Sequence, residues 1–460
     1  MKTNPILKTD SYKVTHWNQY QEDTQRVYSY FESRPGAKYD STIFFGLQYI
    51  IEEYLMNPFT LRDIDEAEAL FAFHLGDKSL FNRAGWEYVL DVYNGYLPVQ
   101  IKAVAEGTVV PVGNVLMTVE NNDPSCFWLT NYVESLLTHV WYPSTVATLS
   151  YSVKQMMLGY LEDTGDPANI NFMLHDFGYR GATTDEAAAI GGAGHLINFM
   201  GTDTIVAMEL AHNYYNADYA SLAFSVPATE HSVMTSLGRE GEYKILDQLL
   251  ENHPTGILSV VSDSYDIYAF VDEVIARKDQ ILARDGRFVV RPDSVTPEHD
   301  TPESLVVNIL TSLMQMGGEY NSKGYFVLDD HIRVLWGDGI DAEGIEKILS
   351  LMMAYGFSAD NIVFGMGGGL LQKVNRDTQR FAFKCSAQKR GGMWYDIQKS
   401  PLDASKKSKA GRLALVERDG ELTTVRADIP FPETNLLDVV YTNGYATNLL
   451  TFDEIRENAR

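Results

Sequence analysis

The chain has 460 residues, enough for two or three domains and a large core, and its 45% hydrophobic and 22% charged residues are ordinary globular composition. A formal net charge of -25 argues against binding nucleic acid or an anionic membrane through the whole surface, and no run of about 18 apolar residues is present to span a bilayer. Two cysteines, Cys126 and Cys385, without CxxC or Cys/His spacing, give no zinc signature and suit a reducing compartment; with no apolar stretch in residues 1–10 to act as a leader, a cytoplasmic location is expected.

Residues 1–145 mix element types. The spacing of Leu47, Ile50, Ile51 and Leu55 predicts an amphipathic helix over 46–56, and residues 99–120 read as β-structure broken at Pro111-Val112-Gly113-Asn114. From about residue 170 short apolar runs alternate with helix-like segments. The runs are 171–174, 204–207, 222–226, 257–261, 288–290, 332–336, 362–364 and 381–383. Close to eight βα-like units predict a parallel sheet closed, or nearly closed, into an α/β barrel; an open doubly wound sheet is the alternative. Either fold collects its chemistry just after the strands. Thr183 with Glu186 fits a capping box, which would start a helix beside Arg180 and offer an anion a positive helix end.

Residues 365–370, Gly-Met-Gly-Gly-Gly-Leu, follow one such run. They are neither a Walker loop nor a dinucleotide fingerprint, which leaves a tight turn needing positive φ or a phosphate cradle; three successive glycines exceed what a turn needs. From Lys373 to Arg412 eleven Lys and Arg face three acids, a basic segment inside an acidic chain that suits a polyanionic small ligand. The Lys406–Lys409 part also reads as a solvated loop. Asp263, Asp293 and Asp338 each follow an apolar run, where a carboxylate either caps a helix or holds Mg2+ and sugar hydroxyls. His231 closes Ser225-Val226-Pro227-Ala228-Thr229-Glu230-His231, with Glu230 placed to influence its imidazole; a histidine nitrogen can accept a phosphoryl group. Tyr12 and Phe177 stand in polar contexts, where an aromatic ring either packs locally or stacks on a flat heterocycle.

Longer matches then emerge: residues 9–16 (Thr-Asp-Ser-Tyr-Lys-Val-Thr-His), 175–181, 201–204, 260–268, 291–294, 337–339 and 367–373. Through these motifs the chain resembles the nicotinamide phosphoribosyltransferases, which join nicotinamide to phosphoribosyl pyrophosphate, from Asp10 to about Arg456. The resemblance implies an α/β fold: a barrel-like parallel (β/α) domain over 149–385, and a smaller α+β domain built from 1–148 with 386–460. It further implies a homodimer with shared active sites. Phe177 would stack on one face of nicotinamide and Tyr12 of the partner subunit on the other, while Asp203 accepts from the carboxamide and Arg291 lies near base and pyrophosphate. Arg180, Arg376, Lys384 and Lys399, with the partner's Arg34, match anion contacts. Gly337, Asp338, Gly367 and Gly368 match the ribose and 5′-phosphate cradle. Asp263 and Asp293 match the ribose and Mg2+ side, and His231 the histidine phosphorylated by ATP.

Some positions depart from the family pattern. Val295 stands where a glycine is usual and Met366 where a small residue is usual, and the stretch between Arg34 and Phe44 and the C-terminus are shorter. Three other readings compete: a nicotinate phosphoribosyltransferase of the same fold, a phosphohydrolase using His231, and a non-catalytic binding protein. A carboxylate at Asp203 repels nicotinate and so favours the amide.

Overall fold

The computed structural model describes residues 4–295, 300–399 and 408–460. The chain forms two compact units. One comprises Met1–Thr148, Ala211–Ala217 and Asn375–Arg460, the other Leu149–Leu210 and Asp218–Val374.

The second unit is built on a six-stranded parallel sheet. Its spatial order is Gly201–Thr202, Leu174–Asp176, Ile362–Met366, Ile332–Trp336, Phe288–Arg291 and Leu258–Val261. The central strands are largely apolar because both sheet faces are covered: all five residues of Ile332–Trp336 are buried, Arg333 included. Helices follow the strands, several with a clear start signal. Pro302–Leu313 begins at a Thr301/Ser304 capping box with proline in its first turn, and buries Leu305, Val306, Ile309, Leu310 and Leu313. Ala342–Ala354 is capped by Asp341, whose carboxylate accepts from the Gly344 N–H, and buries Ile345, Ile348, Leu349 and Met352.

Six strands form where eight runs are predicted. The run 204–207 is not a strand: Gly201–Thr202 pairs instead, and Ile205–Tyr215 is a helix, because its buried Ala207, Leu210, Ala211 and Tyr215 recur at helical spacing. The run 222–226 is also not a regular strand. Its Leu222 ends the helix Tyr219–Leu222, and the segment 223–229 that follows bridges Gly201 through Phe224 and Ser259 through Ala228, both in parallel sense. Because Gly201 and Ser259 lie on opposite edge strands, this segment completes the ring, and the sheet curls into a barrel-like structure. The run 381–383 belongs to the other unit, as the start of strand Ala382–Arg390, paired along Thr24–Glu32. That pairing moves the expected boundary from 385/386 to 374/375.

The first unit holds a seven-stranded sheet. Its order is Met393–Asp396, Ala382–Arg390, Thr24–Glu32, Val115–Asn121, Val99–Ala103, Asp438–Thr442 and Tyr445–Ala446, with every pair antiparallel. The predicted break at 111–114 is present, with Gly113 at φ +87 between Val109–Pro111 and Val115–Asn121. The predicted helix at 46–56 is α over Leu47–Ile50 and π over Ile51–Leu55. Its first turn is held by buried Glu106, which accepts from the N–H groups of Gly46 (3.0 Å) and Gln48 (2.6 Å). Cys126 and Cys385 are free thiols pushed up to about 12 and about 11, mainly by burial. No described helix is long and apolar enough to cross a membrane.

Candidate active site

The carboxyl ends of the parallel strands open into a cleft of ≈ 1040 Å³. Residues just past five of the six strands line it: Phe177 after Leu174–Asp176, Asp203 after Gly201–Thr202, Asp293 after Phe288–Arg291, Gly337 and Asp338 after Ile332–Trp336, and Gly367 and Gly368 after Ile362–Met366. The ring-closing segment adds Thr229, Glu230 and His231.

Phe177 sits on a floor of glycine. A Cβ on Gly365 would lie 2.0 Å from its Cε2, and one on Gly337 would meet the same ring at 3.5 Å. None of Gly365, Gly367, Gly368 or Gly369 has positive φ. The glycine run therefore serves close approach rather than a left-handed turn. The Phe177 N–H donates to the Met366 carbonyl (3.0 Å), and Asp176 Oδ1 accepts from the Gly178 N–H (2.7 Å), so the backbone on both sides of the ring is pinned. On the adjacent strand end the Asp203 N–H donates to the Asp176 carbonyl (2.9 Å), and Ser225 Oγ donates to Asp203 Oδ1 (2.5 Å). One carboxylate oxygen of Asp203 is thus engaged by Ser225.

Asp176 is fully buried, and its Oδ2 has no hydrogen-bond partner among the described residues. Burial, with a smaller push from the Asp203 charge, raises its carboxyl to about 6. The folded protein therefore holds this proton more tightly than the unfolded chain. Its contribution favours folding below the ordinary aspartate range and is lost as pH rises through about 6. Asp176→Asn keeps an acceptor for Gly178 and removes the charge. It is expected to be more stable than wild type by roughly 2–3 kcal/mol at pH 8 and by much less at pH 5, measured by urea unfolding at both pH values. A variant less stable than wild type at pH 8 would show that the anion is the working form.

His231 is half exposed at the start of His231–Met234. Its partner is not Glu230, which instead accepts from Ser232 Oγ. Its Nε2 faces Asp263 Oδ1 at 3.2 Å, and Asp263, with a side chain only 6% exposed, accepts from Ser294 Oγ through its other oxygen. Asp263 thus stands behind His231, whereas Asp293 and Asp338 are exposed to the cleft. Burial, then the Asp293 and Asp263 charges, push the Asp338 carboxyl above the usual range. Arg291 is held by donation from Nη2 to the Thr229 carbonyl. Burial lowers its guanidinium, while Asp293, Asp203 and Asp263 pull the other way.

Among the described residues no three His, Cys, Asp or Glu side chains form a preassembled metal cage. Asp293 and Asp338 face the cleft and are the hard donors that suit Mg2+ held jointly with a phosphate ligand, since Mg2+ keeps several waters and takes one or two carboxylates; Asp263, expected at the metal beside Asp293, does not line the cleft and has its two oxygens engaged by His231 and Ser294.

Arg180 and Lys373 also line the cleft, beside Gly367 to Gly369. The helix after Arg180 is Asp185–Leu196, and its cap is Thr184, not Thr183: the Thr184 side chain accepts from the Ala187 N–H. Ser225 and Ser294 fall within the stretches 225–231 and 291–294, but only the fold shows their roles, setting Ser225 beside Asp203 and Ser294 beside Asp263.

The remaining expected residues lie in the first unit. Tyr12 is 59% exposed on the 3-10 helix Ser11–Asn18, which buried Lys13 anchors by donating to Glu134 (2.7 Å). Arg34, Arg376 and Lys399 act together on Lys384, whose ammonium is lowered first by burial and then by these like charges. The four form one basic cluster. The rest of the basic segment is largely tied into the fold. Lys409 pairs with Glu32, Arg380 donates to the Pro35 carbonyl (2.8 Å), and Arg390 and Arg412 lie 4.4 Å and 4.9 Å from the ring centroids of Tyr395 and Trp394. Lys406 and Lys407 lie outside the described residues.

The model of the nicotinate phosphoribosyltransferase (NAPRTase) family matches residues 172–441, and that of the nicotinamide phosphoribosyltransferase N-terminal domain matches residues 4–101. The nicotinamide phosphoribosyltransferase of Xanthomonas campestris pv. campestris (strain 8004) is 44% identical, over 99% of this chain and 98% of its own. That of Acinetobacter baylyi is 34% identical, over 99% and 97%. Among solved structures, the nicotinate-nucleotide pyrophosphorylase from Pyrococcus furiosus superimposes with a TM-score of 0.65 at 15% identity, over 99% of this chain and 94% of that one. Human nicotinic acid phosphoribosyltransferase gives 0.59 at 15%, over 98% and 92%; both share the fold. The chain belongs to the nicotinate phosphoribosyltransferase family, among relatives that are nicotinamide phosphoribosyltransferases.

Proposed function

We propose that the chain is a nicotinamide phosphoribosyltransferase. It transfers phosphoribosyl from 5-phosphoribosyl 1-pyrophosphate to nicotinamide, giving nicotinamide mononucleotide and pyrophosphate, a step of NAD biosynthesis. The observation that carries this reading is the pairing, at one edge of the cleft, of an aromatic ring on a glycine floor with a carboxylate: Phe177 with Asp203. A flat ring bearing a carboxamide fits that pair. Phe177 holds the ring by stacking, and Asp203 accepts from the amide NH₂.

The residues then divide the work. Breaking the bond from ribose C1 to pyrophosphate leaves positive character on the sugar and negative charge on the leaving group. Arg291 and Arg180 stabilise that negative charge. Asp293, with Asp338, would hold Mg2+, which when bound would neutralise the pyrophosphate; Asp263, engaged by His231 and Ser294, would support that side from behind. The ring nitrogen of nicotinamide attacks with its own lone pair, so the protein supplies orientation instead of a base. Tyr12 and the Arg34, Arg376, Lys384 and Lys399 cluster act from the partner subunit of a homodimer, the second face of the base falling to Tyr12 and the phosphates to the cations. A cytoplasmic setting belongs to the same reading.

His231 couples synthesis to ATP. Asp263 holds one ring nitrogen, and the other attacks the γ-phosphorus of ATP, forming the N–P bond as the bond to ADP breaks. Mass spectrometry of products from nicotinamide, phosphoribosyl pyrophosphate and Mg2+, with and without ATP, tests both parts. Wild type is expected to make the mononucleotide, with a higher yield when ATP is present. His231→Ala is expected to keep basal synthesis and lose the ATP effect. An ATP effect that survives in His231→Ala would remove the phosphohistidine from the scheme, and absence of mononucleotide from wild type would remove the function.

A further inference from the structure

We infer that Asp176 is a positioning residue for nicotinamide: its buried side chain, paired with the Thr204 hydroxyl, ties the turn that carries Phe177 to the turn that carries Asp203. The inference rests on the phosphoribosyl-transfer reading and adds a supporting layer behind the base site.

Asp176 ends the strand Leu174–Asp176 one residue before Phe177, and Thr204 directly follows Asp203. Phe177 and Asp203 face the cleft, while Asp176 and Thr204 are each 0% exposed. Asp176 Oδ1 accepts from the Gly178 N–H at 2.7 Å and so fixes the turn after Phe177. Its Oδ2 is buried with no hydrogen-bond partner among the described residues, and so is Thr204 Oγ1. A threonine at the head of a helix ordinarily turns its hydroxyl onto the N–H groups of the first turn. Thr204 stands at the head of Ile205–Tyr215 and leaves its hydroxyl unused there, while its own N–H donates to Thr202 Oγ1 (3.0 Å).

Both side chains converge on one point of the helix Asp185–Leu196. A Cβ added to Gly192 would lie 3.0 Å from Asp176 Oδ2 and 3.3 Å from Thr204 Cγ2. Buried polar atoms rarely stay unpaired, and two that meet at one spot with nothing else to bond are each other's partners. The Thr204 hydroxyl acts on the Asp176 carboxyl, lowering it against the larger rise that burial brings. The main chain already ties the same two turns once, through the Asp203 N–H and the Asp176 carbonyl (2.9 Å). A single tie leaves a hinge; the side-chain pair is a second tie and removes the rotation. Nicotinamide needs its ring stacked and its carboxamide bonded at the same time, so the angle between Phe177 and Asp203 matters as much as their distance. Gly192 leaves the room in which the pair meets.

Steady-state kinetics of the full-length protein, with KM for nicotinamide and for phosphoribosyl pyrophosphate measured separately and circular dichroism on each variant, tests the assignment. Thr204→Val keeps the shape and removes the hydroxyl; it is expected to raise KM for nicotinamide about fivefold. Asp176→Leu removes both contacts and is expected to raise it about thirtyfold, with KM for phosphoribosyl pyrophosphate changed by less than about twofold in either variant. Asp176→Asn, which accepts from Gly178 and donates to Thr204, is expected to recover most of the loss. Gly192→Ala, on a helix that does not line the cleft, is expected to raise KM for nicotinamide about tenfold by wedging the pair apart. A purely structural role would move both KM values together. Wild-type KM for nicotinamide in Thr204→Val and Gly192→Ala, or an equal rise for both substrates, overturns the inference, and these two variants decide it if Asp176→Leu does not fold. A wild-type protein that makes no mononucleotide from the two substrates overturns the underlying reading instead.

Discussion

Gly365→Ala is expected to lower kcat/KM for nicotinamide by about 10²–10³-fold while the protein stays folded. The new methyl carbon would lie 2.0 Å from Cε2 and 2.1 Å from Cδ2 of Phe177, far inside contact distance. The ring cannot slide away with its backbone, because the Phe177 N–H is bound to Met366 and the following turn is bound by Asp176. It must rotate about its side-chain torsions, which removes the stacking face. Gly337→Ala is the internal control: its methyl meets the same ring at 3.5 Å, an ordinary contact, and its effect is expected to be several-fold smaller. Steady-state kinetics with circular dichroism on both variants checks this. Equal KM for nicotinamide in Gly365→Ala and wild type would show that Phe177 does not carry the base.

Asp203→Asn is expected to erode the preference for nicotinamide over nicotinate by about 10²–10³-fold. As a carboxylate, Asp203 accepts from an amide NH₂ and repels a second carboxylate. Ser225 donates to its Oδ1 and thereby fixes which oxygen faces the substrate. Asparagine has the same shape and no charge, so it penalises nicotinate far less. Competition between the two bases in a single assay, read as the ratio of products, gives the answer directly. An unchanged ratio would move the selectivity to another group.

Much of this site is legible in the sequence because a parallel α/β sheet puts its chemistry immediately after apolar runs. Asp203, Asp293, Asp338, Gly337 and Gly367 all stand one or two residues beyond a strand, and all line the cleft. The same rule misled at 204–207 and 381–383, where a short apolar run is helix or antiparallel strand; three or four residues cannot separate period 2 from period 3.6. The glycine run was conspicuous, yet the reason for Gly365 is a ring 188 residues earlier in the chain, which no local pattern encodes. Ser225 and Ser294 stand inside conspicuous stretches, yet their roles come from Asp203 and Asp263, 22 and 31 residues away, which no local pattern encodes.

The ring-closing segment has a mechanical consequence. On one side it is stitched by Thr202 N–H to the Phe224 carbonyl (3.1 Å) and Phe224 N–H to the Met200 carbonyl (2.8 Å). On the other it is stitched by Ser259 N–H to the Pro227 carbonyl (2.9 Å) and Thr229 N–H to the Ser259 carbonyl (3.0 Å). Between these stitches lie Ser225, which aims Asp203, and the approach to His231. The barrel therefore has a seam, and the seam carries Ser225, which orients Asp203, and leads on to His231. Opening it locally would displace Asp203 and His231 in one event, so whatever the two side chains do shares a single point of mechanical failure.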